Sequence, residues 1–238
     1  LDGATQHIDA ASIRGEGAIV SYVRGNIAAN QGHLKAAKSY FDEAIETDPT
    51  HVRARLNRAS IHMASGNAQD ALDDANVLLE LAPGLALAKL RRAEANMMLT
   101  NWEAAKDDLE VIIEDAPHHH HALTQLAACY ISMDRPEKAE APLNEALRLA
   151  PDHTDAWHQR GLLYLDWGRE EAALNDFEAA VRCDGSHLDA RLHIAAIHHE
   201  AKRFVEASGA WKGVLAIEPD HAVARRRKEE CEMAIATM

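Results

Sequence analysis

Pro49, Pro83, Pro117, Pro151 and Pro219 recur at an interval of 34 residues or its multiple, and Gly185 fills the one slot in the series where proline is missing. Proline cannot continue a helix and pushes the residue before it out of the α region, while glycine supplies a C-terminal cap. The chain is therefore cut into equal helical pieces, and a period of this length constrains the fold more than any other feature. With the Pro or Gly at position 32, six units follow without insertion: 18–51, 52–85, 86–119, 120–153, 154–187 and 188–221. Position 20 is alanine throughout, as Ala37, Ala71, Ala105, Ala139, Ala173 and Ala207. Position 8 is always Gly or Ala, and position 28 is always aliphatic.

Inside a unit, small or apolar residues mark positions 3, 7, 8 and 11 of a first segment and 20, 24, 27 and 28 of a second, which is one face of each of two helices. Gly32, Gly66 and Gly168 fall at position 15, where a chain reversing between antiparallel helices needs a residue free to take positive φ. Each unit is thus predicted to be a helical hairpin. Small residues at 8 and 20 let the backbones approach, and Phe41, Leu109, Leu143, Phe177 and Trp211 at position 24 fill space toward the neighbouring unit. Residues 1–17 continue the register backwards, with Gly3, Ala10 and Gly15 at positions 20, 27 and 32 and His7 at 24, and read as a degenerate second helix or N-terminal cap. Residues 222–238, with Arg226, Arg227, Glu229, Glu230 and Glu232, read as a polar closing helix. A first residue other than Met points to an excised domain or processed product whose targeting signal is not visible.

Composition agrees with an all-α class. The chain has 238 residues, 47% apolar, yet only 5% aromatic, which suits helices packed through alanine better than a sheet sandwich. No apolar stretch is long enough to span a membrane, and residues 1–17 lack a signal peptide's basic start and apolar core. Cys129, Cys183 and Cys231 stand far apart without CxxC spacing and read as reduced core thiols. The net charge of −13 argues against nucleic acid as a partner, because a phosphate grip requires a basic face. The one basic run, Arg225 to Lys228, is followed at once by two glutamates, as on a solvated helix.

These columns resemble the tetratricopeptide repeat family. Pro151, Trp157, Gly161, Tyr164, Ala173, Phe177 and Ala180 reproduce the family pattern, and the 34-residue register covers Ala18 to His221. Departures are Ala75 at position 24, and His62, Asn96 and His198 at position 11, where the family usually has an aromatic. The resemblance implies a right-handed α-solenoid of antiparallel hairpins, the tetratricopeptide superhelix. Positions 2, 5, 6, 9, 12 and 13 of the first helices then line a concave peptide-binding groove.

In the first three units the groove positions hold Tyr22, Asn26, Asn30, Arg53, Leu56, Asn57, Ser60, Met63, Leu87, Leu90, Arg91, Glu94, Met97 and Met98. This half is apolar and methionine-rich, with amides able to bond an extended backbone. From the fourth unit they hold His121, Thr124, Gln125, Asp155, His158, Gln159, Asp166, Asp189, His193, His199 and Glu200. That half suits a basic or mixed-charge partner, held more tightly above about pH 6.5 as the histidines lose their protons. Within the family, one subgroup captures a partner's C-terminal carboxylate with Lys and Asn residues and an Arg. Here Asn26, Asn57 and Arg91 match, but Tyr22 and Leu87 replace both lysines, so the clamp is broken.

His51, His119, His153, His187 and His221 share position 34, where a polar residue begins a helix. Loops of stacked hairpins lie about 10 Å apart, too far for two imidazoles to share a metal at about 2.1 Å. His118 to His121 is a local run beside Glu114 and Asp115. No HExxH, Gly-rich phosphate loop, paired catalytic carboxylates or nucleophile signature occurs, so no cofactor, metal or catalytic residue is expected. The expected function is a non-catalytic scaffold binding a peptide or helix of a protein partner in its groove. The alternatives are a substrate-recruiting segment of a larger enzyme or envelope secretion and assembly protein, and a scaffold that associates with itself. For a chain without membrane insertion, a cytoplasmic place is favoured over a periplasmic one.

Overall fold

The computed structural model describes the backbone of residues 2–238 and the side chains of residues 16–238. Among the described residues there is no strand. The helices are α1 (Asp2–Asn30), α2 (Leu34–Thr47), α3 (Val52–Ala64), α4 (Ala68–Leu81), α5 (Ala86–Met98), α6 (Trp102–Asp115), α7 (His120–Ser132), α8 (Glu140–Leu149), α9 (Thr154–Asp166), α10 (Glu170–Cys183), α11 (Leu188–Glu200), α12 (Phe204–Ile217) and α13 (Ala222–Ala236). They divide into two compact units, residues 1–117 and 118–238. In each, consecutive helices pair as hairpins of the solenoid type. The side chains of Gly3, His7, Ala10 and Gly15, which the register assigns to a preceding second helix, lie outside the described residues. The backbone there belongs to the same helix as Asn30.

The hairpin turn obeys the register more strictly than its sequence does. Position 15 takes positive φ in all six units: 75° at Gly32, 77° at Gly66 and 69° at Gly168, but also 61° at Thr100, 58° at Asp134 and 57° at Lys202. Packing of the two helices sets this turn, and it overrides the preference of Thr100 for negative φ. The fourth second helix is altered by its prolines. A short 3₁₀ turn at Pro136–Lys138 precedes α8, and Pro142 falls in the first turn of α8, where a missing N–H leaves no helical bond unmade.

The core is the alanine column and what covers it. All six position-20 alanines are fully buried, as are Phe41, Ala75, Leu109, Leu143 and Phe177 at position 24. Phe41 and Phe177 lie over the glycine at position 8 of their own hairpins rather than only toward a neighbour. A Cβ added to Gly25 would stand 2.5 Å from the Phe41 ring, and one added to Gly161 would stand 2.7 Å from Phe177. In the first unit Phe41 anchors a cluster with Ala37, Ala44, Ile45, Ala54 and Ile61. In the second, one cluster forms round Phe177 and another round Trp211, Val214 and Cys231.

At position 11 the missing aromatics are replaced by polar groups. His62 and Asn96 are buried; Nδ1 of His62 lies 3.4 Å from Asp70, and Asn96 accepts from the Asn101 amide at 3.3 Å. Where the family residue is present, the Tyr164 hydroxyl donates to Glu140 at 3.0 Å.

Four of the five position-34 histidines cap helices with their side chains, His153 being the exception. Nδ1 of His51, His119 and His187 accepts from the backbone N–H three residues on at 3.1 Å, and that of His221 does so at 3.2 Å. An imidazole acceptor thus satisfies an N–H the helix leaves unpaired. Position 4 fastens the incoming loop. Arg55, Trp157, Arg191 and Arg225 donate to the carbonyl oxygens of Pro49, Pro151, Gly185 and Pro219, at 3.0, 2.8, 2.8 and 2.9 Å.

Candidate functional site

The first helices present their faces side by side within each unit, α1 beside α3 beside α5, and α7 beside α9. In the first unit a cavity of about 400 Å³ opens between α1 and α3, lined by Asn26, Ala29, Asn30, Phe41, Asn57, Ser60 and Ile61. The Asn57 amide donates to Oδ1 of Asn26 at 2.6 Å. In the second unit a cavity of about 430 Å³ lies between α7 and α9, lined by Ala128, Ile131, Ser132, Pro136, Gln159, Leu162, Leu163 and Asp166. Both occupy the same register, between positions 9, 12 and 13 of one first helix and positions 6 and 9 of the next.

The structure sorts the expected groove residues. Asn26, Asn57, Ser60 and Gln159 line these cavities. Arg53 and Asp155 are exposed, and Met63, Met97 and Gln125 are half-buried. Leu90, expected on the groove wall, is 7% exposed and counts among the buried core residues. Tyr22 packs its ring 5.0 Å from His51 and 6.2 Å from Phe41. Arg91 is ion-paired with Glu94 one turn on, so its charge is already met within α5. His199 turns to the last helix, with Nδ1 3.2 Å from the Cys231 sulfur and Nε2 3.7 Å from Glu230.

His158 and His193 are drawn between helices. The His193 ring stacks on Phe177 at 4.8 Å, and His158 sits 4.7 Å from His187 and 5.6 Å from His193. Burial holds the His158 imidazole below its usual pKa, reinforced by His187 and His193 and opposed by Asp189 and Asp155. Burial also lowers His193, which faces Asp189 and His187, and lowers His153 beside His120. Among the described residues no group of three His, Cys, Asp or Glu side chains is arranged to hold a metal.

The pH consequence has a definite sign. A folded-state pKa depressed below about 6.5 means the folded chain binds fewer protons than the unfolded chain, so stability is lost as pH falls through that value. Thermal melts should therefore show a lower midpoint at pH 5.5 than at pH 7.5, and His158→Gln should reduce the difference. A midpoint that rises on acidification in the wild-type chain contradicts the burial of these rings as neutral imidazoles.

The sequence reading missed a recurrent ion pair. Arg58, Arg92 and Arg160 at position 7 grip Asp74, Asp108 and Asp176 at position 23, each with two bonds between 2.6 and 2.9 Å. Arg58 also reaches Asp42, at 2.8 Å, and Arg160 reaches Asn144, at 2.7 Å, both on the preceding second helix. One guanidinium thus ties three helices. The signal was the joint occurrence of Arg and Asp sixteen residues apart in the same three units, hidden because each column alone looks like surface charge.

Comparison with known proteins decides the family. Tetratricopeptide repeat models match residues 22–86, 87–119 and 126–192. The chain is a tetratricopeptide repeat protein. No curated protein is significantly similar to it in sequence. Among solved structures this repeat chain is similar to Pseudomonas aeruginosa PilF, with a TM-score of 0.73 at 15% identity over 93% of this chain and 99% of that one. It is also similar to a chain of the APC/C hetero-tetramer Cut9-Hcn1, with a TM-score of 0.77 at 18% identity over 91% of this chain and 43% of that one. A third is YrrB, described as a tetratricopeptide repeat protein with an unusual peptide-binding site, with a TM-score of 0.56 at 23% identity over 79% and 97%. At these identities the likeness establishes the tetratricopeptide fold.

Proposed function

We propose that the chain is a non-catalytic interaction scaffold that holds a segment of a protein partner against its first-helix faces. The observation that carries this reading is the amide pair in the cavity between α1 and α3. With one Asn57 N–H given to Asn26 Oδ1, the Asn57 oxygen and the Asn26 amide nitrogen supply one acceptor and one donor at a cavity lined by both residues. A peptide unit offers the matching N–H and C=O. The net charge of −13 favours protein over nucleic acid as the partner class, and no helix among the described residues is long and apolar enough to cross a membrane. The peptide-binding site described for YrrB supports the reading by analogy of fold.

The test replaces both amides. Asn26→Ala with Asn57→Ala removes donor and acceptor together, which changes stability little because neither partner is left unsatisfied. Capture of partners from a lysate should then fail while the thermal melt stays within a few degrees of wild type. Undiminished capture by the double variant would overturn the assignment of this face.

A further inference from the structure

We infer that the cavity between α7 and α9 receives an apolar side chain of the partner segment, and that the residue following it is lysine or arginine. The inference rests on the reading of the first-helix faces as partner surfaces and gives the chemistry of what one of them selects.

Three observations carry it. Ala128, Ile131, Pro136, Leu162 and Leu163 form an apolar wall round about 430 Å³, a size in the range that holds a ligand group, and Ile131 and Leu162 keep more than a third of their surface exposed. Gln159 Oε1, in the same lining, is shielded from solvent and accepts no hydrogen bond. A buried acceptor without a donor is costly, and the backbone N–H of a segment seated in the cavity would supply one. Asp166 is the only charged residue of the lining and is exposed; among the described residues no cation is paired with it. Asp155 stands at the other end of the α9 face, equally exposed. An incoming cation is therefore favoured and an incoming carboxylate opposed.

The matching cavity of the first unit shows that this chemistry belongs to this pair of helices and not to the fold. There the same register positions hold Asn26, Asn30, Asn57 and Ser60, a lining suited to backbone amides rather than to an apolar side chain.

An array of immobilised random 12-residue peptides, probed with the whole chain and two variants, tests the inference. Wild type should retain peptides enriched in an aliphatic residue or methionine followed by Lys or Arg. Leu162→Glu should lower retention of those peptides by about tenfold or more, and Asp166→Lys, which leaves the apolar wall intact, should shift the enriched second residue to Asp or Glu. Enrichment that is the same for wild type and both variants would overturn the inference while leaving the interaction reading standing. If wild type retains peptides without the apolar and basic pair, the inference likewise fails alone. Retention of no peptide at all would overturn both.

Discussion

Asp74→Ala is expected to destabilise the chain by about 3 kcal/mol, the low end of the 3–5 kcal/mol typical when one member of a buried ion pair is removed. Asp74 is 3% exposed and accepts from Arg58 at 2.6 and 2.9 Å and from Arg55 at 3.3 Å. Its loss leaves Arg55 with the Pro49 carbonyl alone and Arg58 with Asp42 alone, and that remaining carboxylate is what keeps the cost below the top of the range. The three units give an internal ranking. The Arg58 and Arg160 side chains are 20% and 17% exposed, that of Arg92 35%, so Asp108→Ala should cost least, because solvent screens the stranded charge. Exchanging Arg58 and Asp74 together for Met and Leu should cost less than Asp74→Ala alone, since no charge is then buried unpaired. Denaturant titration of Asp74→Ala, Asp108→Ala, Asp176→Ala and the double exchange measures this. Equal losses for Asp74→Ala and Asp108→Ala would show that burial of the pair is not the source of the effect.

Gly161→Ala reverses the usual sign of its substitution. In an ordinary helix the change gains about 1 kcal/mol. Here the new methyl carbon meets the fully buried Phe177 ring at 2.7, 2.9 and 3.1 Å, and overpacking of that kind costs about 1–3 kcal/mol, which cancels the helix gain and leaves a net loss of up to about 2 kcal/mol. Phe177→Leu added to Gly161→Ala should recover most of it, because the pair becomes the one that Ala93 with Leu109 and Ala127 with Leu143 already form in two other repeats. A double variant no more stable than Gly161→Ala alone would mean that positions 8 and 24 are not a coupled pair.

The helices, three of the six turns and the alanine column were legible because each rests on a local rule repeated along the chain. Proline stops a helix anywhere beyond its first turn, and Gly32, Gly66 and Gly168 announce a positive-φ turn on their own. Thr100, Asp134 and Lys202 adopt the same turn without announcing it, since the packing of the hairpin, not the residue, dictates φ there. The coupling of Gly25 with Phe41 was hidden for a related reason: each column shows its own residue type, and only their covariation shows which side chain lies on which. Of the candidate site, the register puts Asn26, Asn57 and Gln159 on first helices, and they line the two cavities at corresponding points. Leu90 and His199 share that register yet turn inward or toward the closing helix, because side-chain direction at a half-buried position depends on the neighbouring helix. The apolar character of the second cavity went unread, since Ala128, Leu162 and Leu163 look like core when taken one at a time.

We propose a division of labour, in which second helices hold the fold and first-helix faces hold the partner. Hydrogen exchange of the whole chain, with and without a peptide selected on the array, tests it most directly. Slowed exchange on α1 and α3, or on α7 and α9, with α2, α4, α8 and α10 unchanged, is the predicted result. Slowed exchange confined to the second helices, with the first helices unaffected, would contradict it.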